Sequence, residues 1–185
     1  MDETLKDSPE YELAKKAVSV AERINSIIQF TKQYEDIGVK SPIWKNIRKT
    51  TLDASEQVHL GSVIIQNDIS EDIEVFADPL LVKIIYNLIE NAVRYGETIT
   101  KIRFYEEEAS NLVLICEDDG VGVIPEEKER IFERGYGRNT GLGLALCRDI
   151  LTITDISIIE TGEFGSGARF EISIPSTGWR KIPRD

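Results

Sequence analysis

The segment DPLLVKIIYNLIENAVRYG, residues 78–96, constrains the fold of this chain more than any other. Its apolar residues recur with the period of an amphipathic helix, Asp78 is placed to cap it, Pro79 suits its first turn, and Gly96 marks its stop. A helix with one strongly apolar side must lay that side on another element, and the segments around it read as strands. SVIIQND (62–68) and EVFAD (74–78) lead into it, while TKIRFYE (100–106) and NLVLICED (111–118), joined by an acidic turn, follow it. DISIIETG (155–162) and GARFEISIP (167–175) read as a closing hairpin. Strands in adjacent pairs with helices between the pairs predict an α/β protein. Its form is a two-layer α/β sandwich, with a mixed, mainly antiparallel sheet covered on one face by helices.

Residues 10–36, EYELAKKAVSVAERINSIIQFTKQYED, predict one long helix ahead of this sandwich. Leu13, Ala17, Val20, Ile24, Ile27 and Thr31 are spaced alternately four and three apart, the heptad spacing of a helix–helix seam. The stripe predicts a homodimer through helix 10–36; an arm folded back on its own domain is the other reading. Gly38 ends the helix, and Ser41 as cap with Pro42 in the first turn predicts a second helix reaching to about Gln57. IPEEKERIF (124–132) reads as a short helix, followed by a Gly-rich loop over 135–143 and the helix that the loop opens. The final STGWRKIPRD is polar and is expected to be loose. The chain divides into a helical segment over 1–38, a globular domain over 39–176 and a tail over 177–185, with no internal repeat.

Charge narrows the function. A net charge of −11 argues against binding nucleic acid or docking on anionic lipid, both of which need a basic surface. Any nucleotide must then be held by a local cluster of donors or by a metal ion. Cys116 and Cys147 lie far apart in apolar surroundings and, with one histidine in the chain, make a poor zinc set. They are expected to be buried thiols in a reducing interior. There is no signal peptide and no apolar run of about 18 residues. The expectation is a cytoplasmic chain without membrane contact of its own, membrane anchoring of a larger parent being left open.

Four pieces carry chemistry. Asn87 and Asn91 are four apart and share one helical face, where amide oxygens can ligate a hard cation such as Mg²⁺. Arg94 and Tyr95 follow, offering a cation for phosphate and a ring to cover a base. In EDDGVGVIP, Asp118 ends a strand beside Gly120 and Gly122, where a carboxylate next to bare backbone can accept from an exocyclic amine. In FERGYGRNTGLGLAL, Gly135, Gly137, Gly141 and Gly143 are interleaved with Arg134 and Arg138 ahead of a helix whose free N–H groups suit an anion. GEFGSGARFEIS adds a second Gly-rich turn entering a strand. Each piece alone also fits a plainer role: a solvated polar face, a strand-to-helix turn, a hairpin.

Their order is what is specific. N-x-x-x-N on a helix, D-x-G-x-G after a strand, a phenylalanine on a short helix, G-x-G-L before a helix and G-x-G into a last strand resemble the catalytic ATP-binding domain of sensor histidine kinases. That domain has the Bergerat fold, shared with anti-sigma-factor serine kinases and the gyrase, Hsp90 and MutL ATPases, and the resemblance runs from about residue 42 to 176. It implies ATP and Mg²⁺ as cofactors. Asn87 and Asn91 match the N box, with Asn91 the direct Mg²⁺ ligand ahead of Asn87. Arg94 matches the cation that approaches the phosphates and completes a catalytic set with the two asparagines. Tyr95 matches the aromatic beside the base. Asp118 matches the carboxylate that recognises the adenine amine, and Gly120 and Gly122 the first Gly box. Phe132 stands at the F box. Gly141, Leu142, Gly143 and Leu144 stand at the second Gly box, the glycines giving backbone access and the leucines anchoring the next helix. Gly165 and Gly167 match the final Gly motif. Loop 134–141 resembles a short ATP lid to which Arg138 brings charge; Asn139, where many relatives have glycine, leaves its conformation open.

The resemblance implies transfer of the γ-phosphoryl group to a histidine followed by an acidic residue. The single histidine, His59, is followed by Leu60 and falls at a helix-to-strand passage, so it reads as a partly buried structural imidazole. Helix 10–36 resembles the second helix of the family's dimerisation hairpin. The phosphoacceptor helix is therefore expected outside this chain, and a response regulator receiver domain is the expected recipient. Hydrolysing relatives place a carboxylate four residues before the Mg²⁺-binding asparagine; here Asn87, a neutral amide, cannot act as a general base, and Glu90 points about 100° away around the helix. That favours a kinase. A serine kinase of the anti-sigma type and a non-catalytic nucleotide-binding module remain the alternatives.

Overall fold

The structure is a computed structural model that describes residues 9–137 and 141–183; in the first helix the side chains of residues 22, 23, 26, 27, 29, 30 and 33 lie outside the described set. That helix, α1 (Pro9–Glu35), leads through a turn at Gly38 into β1 (Ile43–Asn46) and α2 (Ile47–Ser55). Next come β2 (Ile64–Asn67), β3 (Ile73–Ala77), α3 (Leu81–Tyr95), β4 (Lys101–Glu108) and β5 (Leu112–Asp118). Two 3₁₀ turns, Pro125–Glu127 and Arg130–Phe132, precede α4 (Gly143–Thr152), β6 (Ser157–Glu160), β7 (Arg169–Ile174) and β8 (Trp179–Lys181).

The main sheet has five strands in the order β2-β4-β5-β7-β6, with β2 and β4 parallel and every other neighbour antiparallel. This is the mixed, mainly antiparallel sheet of the expected sandwich. α3 buries Leu81, Ile84, Ile85, Leu88, Ile89 and Ala92, one stripe at helical spacing. That stripe and the α4 residues Leu146, Cys147, Ile150 and Leu151 join one core with Ile102, Phe104, Leu114, Cys116, Phe170 and Ile172 of the sheet. Each large aliphatic side chain so buried contributes roughly 1.5–3 kcal/mol. Both cysteines are free and buried, and burial pushes the Cys147 thiol up to about 12.

Several expectations are corrected. Segment 42–57 begins as a strand: Ile43 and Trp44 pair with Ala77 and Phe76 of β3, and Trp44 tilts against Phe76 at 5.4 Å. The helix starts after Asn46, whose side chain accepts the Lys49 N–H at 2.8 Å, so Asn46 and not Ser41 is the cap. Asp78 caps the turn before α3 rather than α3 itself: its Oδ1 accepts the Leu80 N–H at 2.8 Å and its carbonyl the Leu81 N–H at 3.0 Å. Pro79 lies in that turn. IPEEKERIF forms two 3₁₀ turns instead of one helix, because Lys128 and Phe132 are drawn separately into the interior. The polar tail is ordered over its described residues 177–183: β8 pairs with β3 to complete a second sheet, β1-β3-β8, and Arg180 grips Glu74 at 2.6 and 2.8 Å while lying over the Trp44 ring. His59 is exposed, not partly buried, in the loop between α2 and β2.

The stripe on α1 faces solvent: Leu13, Val20 and Ile24 are 69%, 57% and 54% exposed. Ala17 and Thr31 are exposed as well, and the side chain of Ile27 lies outside the described set. The root of α1 touches the sandwich. Ile37 packs on the core, the Gly38 N–H donates to Asp78 Oδ2 at 3.2 Å, and Tyr34 meets Arg134.

Candidate functional site

Asp118 is the last residue of β5, placed by its pairing with Ile102 on one side and by Ala168 on the other. Its backbone N–H donates to the Ala168 carbonyl at 3.0 Å, and its Oδ1 accepts the Gly120 and Ala168 N–H groups at 2.9 and 3.1 Å. No described residue donates to Oδ2. Burial raises the carboxyl above its ordinary value of 3.8; the two backbone donors oppose that shift, and the negative charges of Asp119 and Glu160 add to it. The neighbouring Asp119 is spent differently. It is exposed and receives the Thr100 and Lys101 N–H groups at 2.8 and 2.9 Å together with the Thr100 hydroxyl. One carboxylate of the pair therefore serves the interior and the other staples the sheet edge.

The floor around Asp118 is backbone. A Cβ on Gly120 would sit 2.6 Å from the Gly96 Cα, and one on Gly167, where φ is +121°, would sit 1.8 Å from the Asp118 carbonyl oxygen. These glycines are there because two chains pass too closely for a side chain. Gly122 packs on the Gly167 carbonyl, and the Gly165 N–H donates to the Val121 carbonyl at 2.8 Å, so the first and last Gly motifs form one layer.

α3 supplies the polar flank. Asn87 and Asn91 lie beside its buried stripe, both half-buried, yet they are used differently. Asn87 Nδ2 donates to the Gly143 carbonyl at 3.2 Å and lies 3.5 Å from Cys147 Sγ, tying α3 to the start of α4. The Asn91 amide has no hydrogen-bond partner among the described residues. Arg94 is exposed and pairs with Glu90 at 2.8 Å, and Tyr95 stands exposed at the helix end.

The remaining assigned residues divide between core and loop. Phe132 is 4% exposed, edge-on to Phe170 at 6.3 Å with the Arg148 guanidinium 4.2 Å from its centroid; it is a post in the core from which the loop departs. The loop closes on itself where the Gly135 N–H donates to the Gly141 carbonyl at 3.0 Å, with Gly141 at φ +59°. Leu142 is the N-cap residue of α4 and brings no side-chain acceptor, so the first N–H groups of that helix have no side-chain cap among the described residues. Leu144 packs on the core; Leu142 is half-buried outside it. Arg138 and Asn139 lie outside the described residues. Among the described residues no three His, Cys, Asp or Glu side chains gather as a metal site.

Two features escaped the sequence reading. Arg134, at the loop's stem, donates to Asp149 at 2.8 Å and to the Tyr34 hydroxyl at 2.9 Å, with its guanidinium 5.0 Å from the Tyr34 centroid. Tyr34 follows Ile27 by seven residues and so continues the α1 stripe, which was a usable signal. The other is a buried ion pair between Lys128 and Glu160 at 2.9 Å. Its signal was a glutamate two residues beyond Ile158, on the inward side of an alternating strand.

Residues 77–178 match the family described as histidine kinase-, DNA gyrase B- and HSP90-like ATPase. The chain is similar to the autoinducer 2 sensor kinase/phosphatase LuxQ of Vibrio harveyi, 29% identical over 140 residues that make up 66% of this chain and 16% of LuxQ. It is also similar to the sensor histidine kinase RcsC of Escherichia coli (strain K12), 32% identical over 111 residues, 55% of this chain and 12% of RcsC. The chain thus spans less than a fifth of the length of these two curated relatives. The crystal structure of full-length ShkA in complex with AMPPNP is similar with a TM-score of 0.71 at 20% identity, covering 96% of this chain and 40% of ShkA, a likeness of fold. No described helix is long and apolar enough to cross a membrane.

Proposed function

This chain belongs to the histidine kinase-, DNA gyrase B- and HSP90-like ATPase family, and from that premise we propose that it is the catalytic domain of a two-component sensor histidine kinase. It binds Mg·ATP and passes the γ-phosphoryl group to a histidine on a dimerisation helix outside this chain. The observation that carries the reading is the Asp118 carboxylate: Oδ1 is fixed by two backbone N–H groups, which aims the unclaimed Oδ2 at an exocyclic amine. The names of the similar kinases favour histidine over serine as acceptor.

The chain's own residues divide the work. Asp118 receives the adenine amine over the Gly120–Gly122–Gly167 layer, and Tyr95 stands at the base. The N–H groups opening α4 receive phosphate oxygens, and Arg94 turns from Glu90 toward them, an exposed pair that costs little to break. Asn91 suits a hard cation, having an amide oxygen without another partner, whereas Asn87 is committed to α4. Mg²⁺, when bound, neutralises charge on the phosphates. With an amide at position 87 and Glu90 about 100° round the helix from Asn91, no carboxylate among the described residues is poised to activate water, which suits transfer better than hydrolysis. The exposed stripe on α1 is proposed to bury against a second copy and the helix bearing the acceptor, a receiver domain accepts the phosphate afterwards, and the compartment is cytoplasmic.

The test is phosphorylation in trans. A helix hairpin bearing the acceptor histidine, incubated with this chain and Mg·ATP, is expected to gain acid-labile phosphate. Acid-stable phosphoserine on a partner would instead make it a serine kinase, and ATP binding without transfer to either acceptor a binding module. Failure of Mg·ATP to raise the melting temperature sinks the nucleotide site altogether.

A further inference from the structure

We propose that Glu160, clasped by Lys128, is a positioning residue for adenine selectivity: it fixes the entry of β7 so that Asp118 meets the adenine amine. The proposal rests on the nucleotide reading above and adds two residues that none of the Gly, N or F motifs contains.

Glu160 ends β6 on its inward side, beyond Ile158, and its side chain is fully buried. One oxygen is hydrogen-bonded twice and the other is ion-paired without a hydrogen-bond donor of its own. Oε1 accepts the Gly162 and Arg169 N–H groups at 2.9 and 3.1 Å, and Oε2 lies 2.9 Å from Lys128 Nζ, which also donates to the Gly162 carbonyl. The Arg169 N–H is the amide directly after that of Ala168, and the Ala168 N–H is one of the two donors to Asp118 Oδ1. Two carboxylates, Glu160 buried and Asp118 half-buried, therefore grip consecutive amides of one strand entry. Displacing the Arg169 amide displaces the donor that orients Asp118.

A second path runs through the turn between β6 and β7. A Cβ on Gly162 would lie 2.5 Å from the Gly167 carbonyl oxygen, and Gly167 itself rests on the Asp118 carbonyl. Glu160 holds one side of this stack through Gly162, and Asp118 is the other side. The Glu160 carboxylate is also close enough to Asp118 to raise its pKa. Stability alone does not call for such a pair, since an apolar side chain of similar volume commonly does as well in a core. What it supplies is a fixed place for two amides.

The test compares ATP with inosine triphosphate, whose base has an oxo group where adenine has the amine, by calorimetric titration of the purified chain. Wild type is expected to prefer ATP. Glu160→Ala should weaken ATP binding about tenfold, the worth of roughly one charge-assisted hydrogen bond, while inosine triphosphate binding changes by about twofold or less. Glu160→Gln, which keeps an acceptor for both amides, should retain most of the preference, and Lys128→Met should fall between. An equal loss for both nucleotides makes Glu160 a merely structural residue and overturns the proposal, as does an unchanged ratio. Should Glu160→Ala not fold, the ratio in Lys128→Met decides by the same criterion. A wild type that does not distinguish the nucleotides defeats the Asp118 reading itself, a result separate from failure of the clasp.

Discussion

The two ends of the candidate site are built by different means. At the Asp118 end the contacts are buried and made by backbone: two N–H groups on Oδ1, glycines packed too closely for a Cβ, and the Glu160–Lys128 pair behind them. At the α4 end they are exposed and made by long side chains, Arg94 on Glu90 and Arg134 on Asp149 and Tyr34. Exposed ion pairs are weak and screened by salt, whereas buried ones are screened much less. In the proposed kinase, one end would serve as a fixed receptor for a base, and the other could rearrange around phosphates and an incoming acceptor without disturbing the core.

The sharpest way to break this contrast is to force a side chain into the fixed end. Gly167→Ala places a methyl inside the Asp118 carbonyl contact at a φ that disfavours it. The expected cost is about 3 kcal/mol or more of stability, with loss of ATP binding, read by thermal melting with and without Mg·ATP. An equivalent Gly137→Ala, where a Cβ would meet open space, should cost on the order of 1 kcal/mol through backbone conformation alone.

Next in size is Asp118→Asn, expected to weaken ATP roughly tenfold or more without lowering the melting temperature, since it removes a buried charge. The wild type should show the same chemistry in its pH dependence. With the folded pKa raised above 3.8, the protonated form favours the fold; that contribution is full below 3.8 and is lost as pH rises through the raised value. ATP affinity moves the other way, falling as pH drops through the raised value, because the proton settles on the unbonded Oδ2. Affinity that is flat across this window breaks the assignment. A smaller effect separates the two asparagines. Asn91→Ala should reduce the Mg²⁺-dependent part of ATP binding with little change in melting, whereas Asn87→Ala should cost about 1 kcal/mol of stability by freeing α4 from α3.

This contrast between ends also separates what the sequence revealed from what it hid. The α3 stripe, the strand pairs and Asp118 at a strand end were legible because each follows from local periodicity or from a carboxylate beside glycine. β1 and β8 were not, because each pairs with β3 alone, a partnership across the fold that no local pattern discloses. The different uses of Asn87 and Asn91 were equally hidden: both occupy one helix face, and what distinguishes them is the Gly143 carbonyl, 56 residues away. Phe132, which stands at the F box, is a core residue because its partner Phe170 comes from a distant strand. Local chemistry was readable; its assignment to a partner across the fold was not.

The smallest expected effect tests whether the exposed end is connected to α1. Tyr34 offers Arg134 a ring and a hydroxyl acceptor, while Asp149 holds the same guanidinium from the other side. Tyr34→Phe keeps the ring and should leave ATP affinity within about twofold. Tyr34→Ala removes both contacts and should speed hydrogen exchange at the amides of Glu133 to Gly137, the loop stem, more than Tyr34→Phe does. Because Arg134 and its partners are exposed, raising the salt concentration should move the wild type toward the Tyr34→Ala rates. The ATP-to-inosine preference, set at the buried end, should not respond to the same salt. If exchange at the stem ignores Tyr34, the root of α1 lies against the loop without supporting it. If the nucleotide preference follows salt as well, the two ends are not independent and the contrast between them fails.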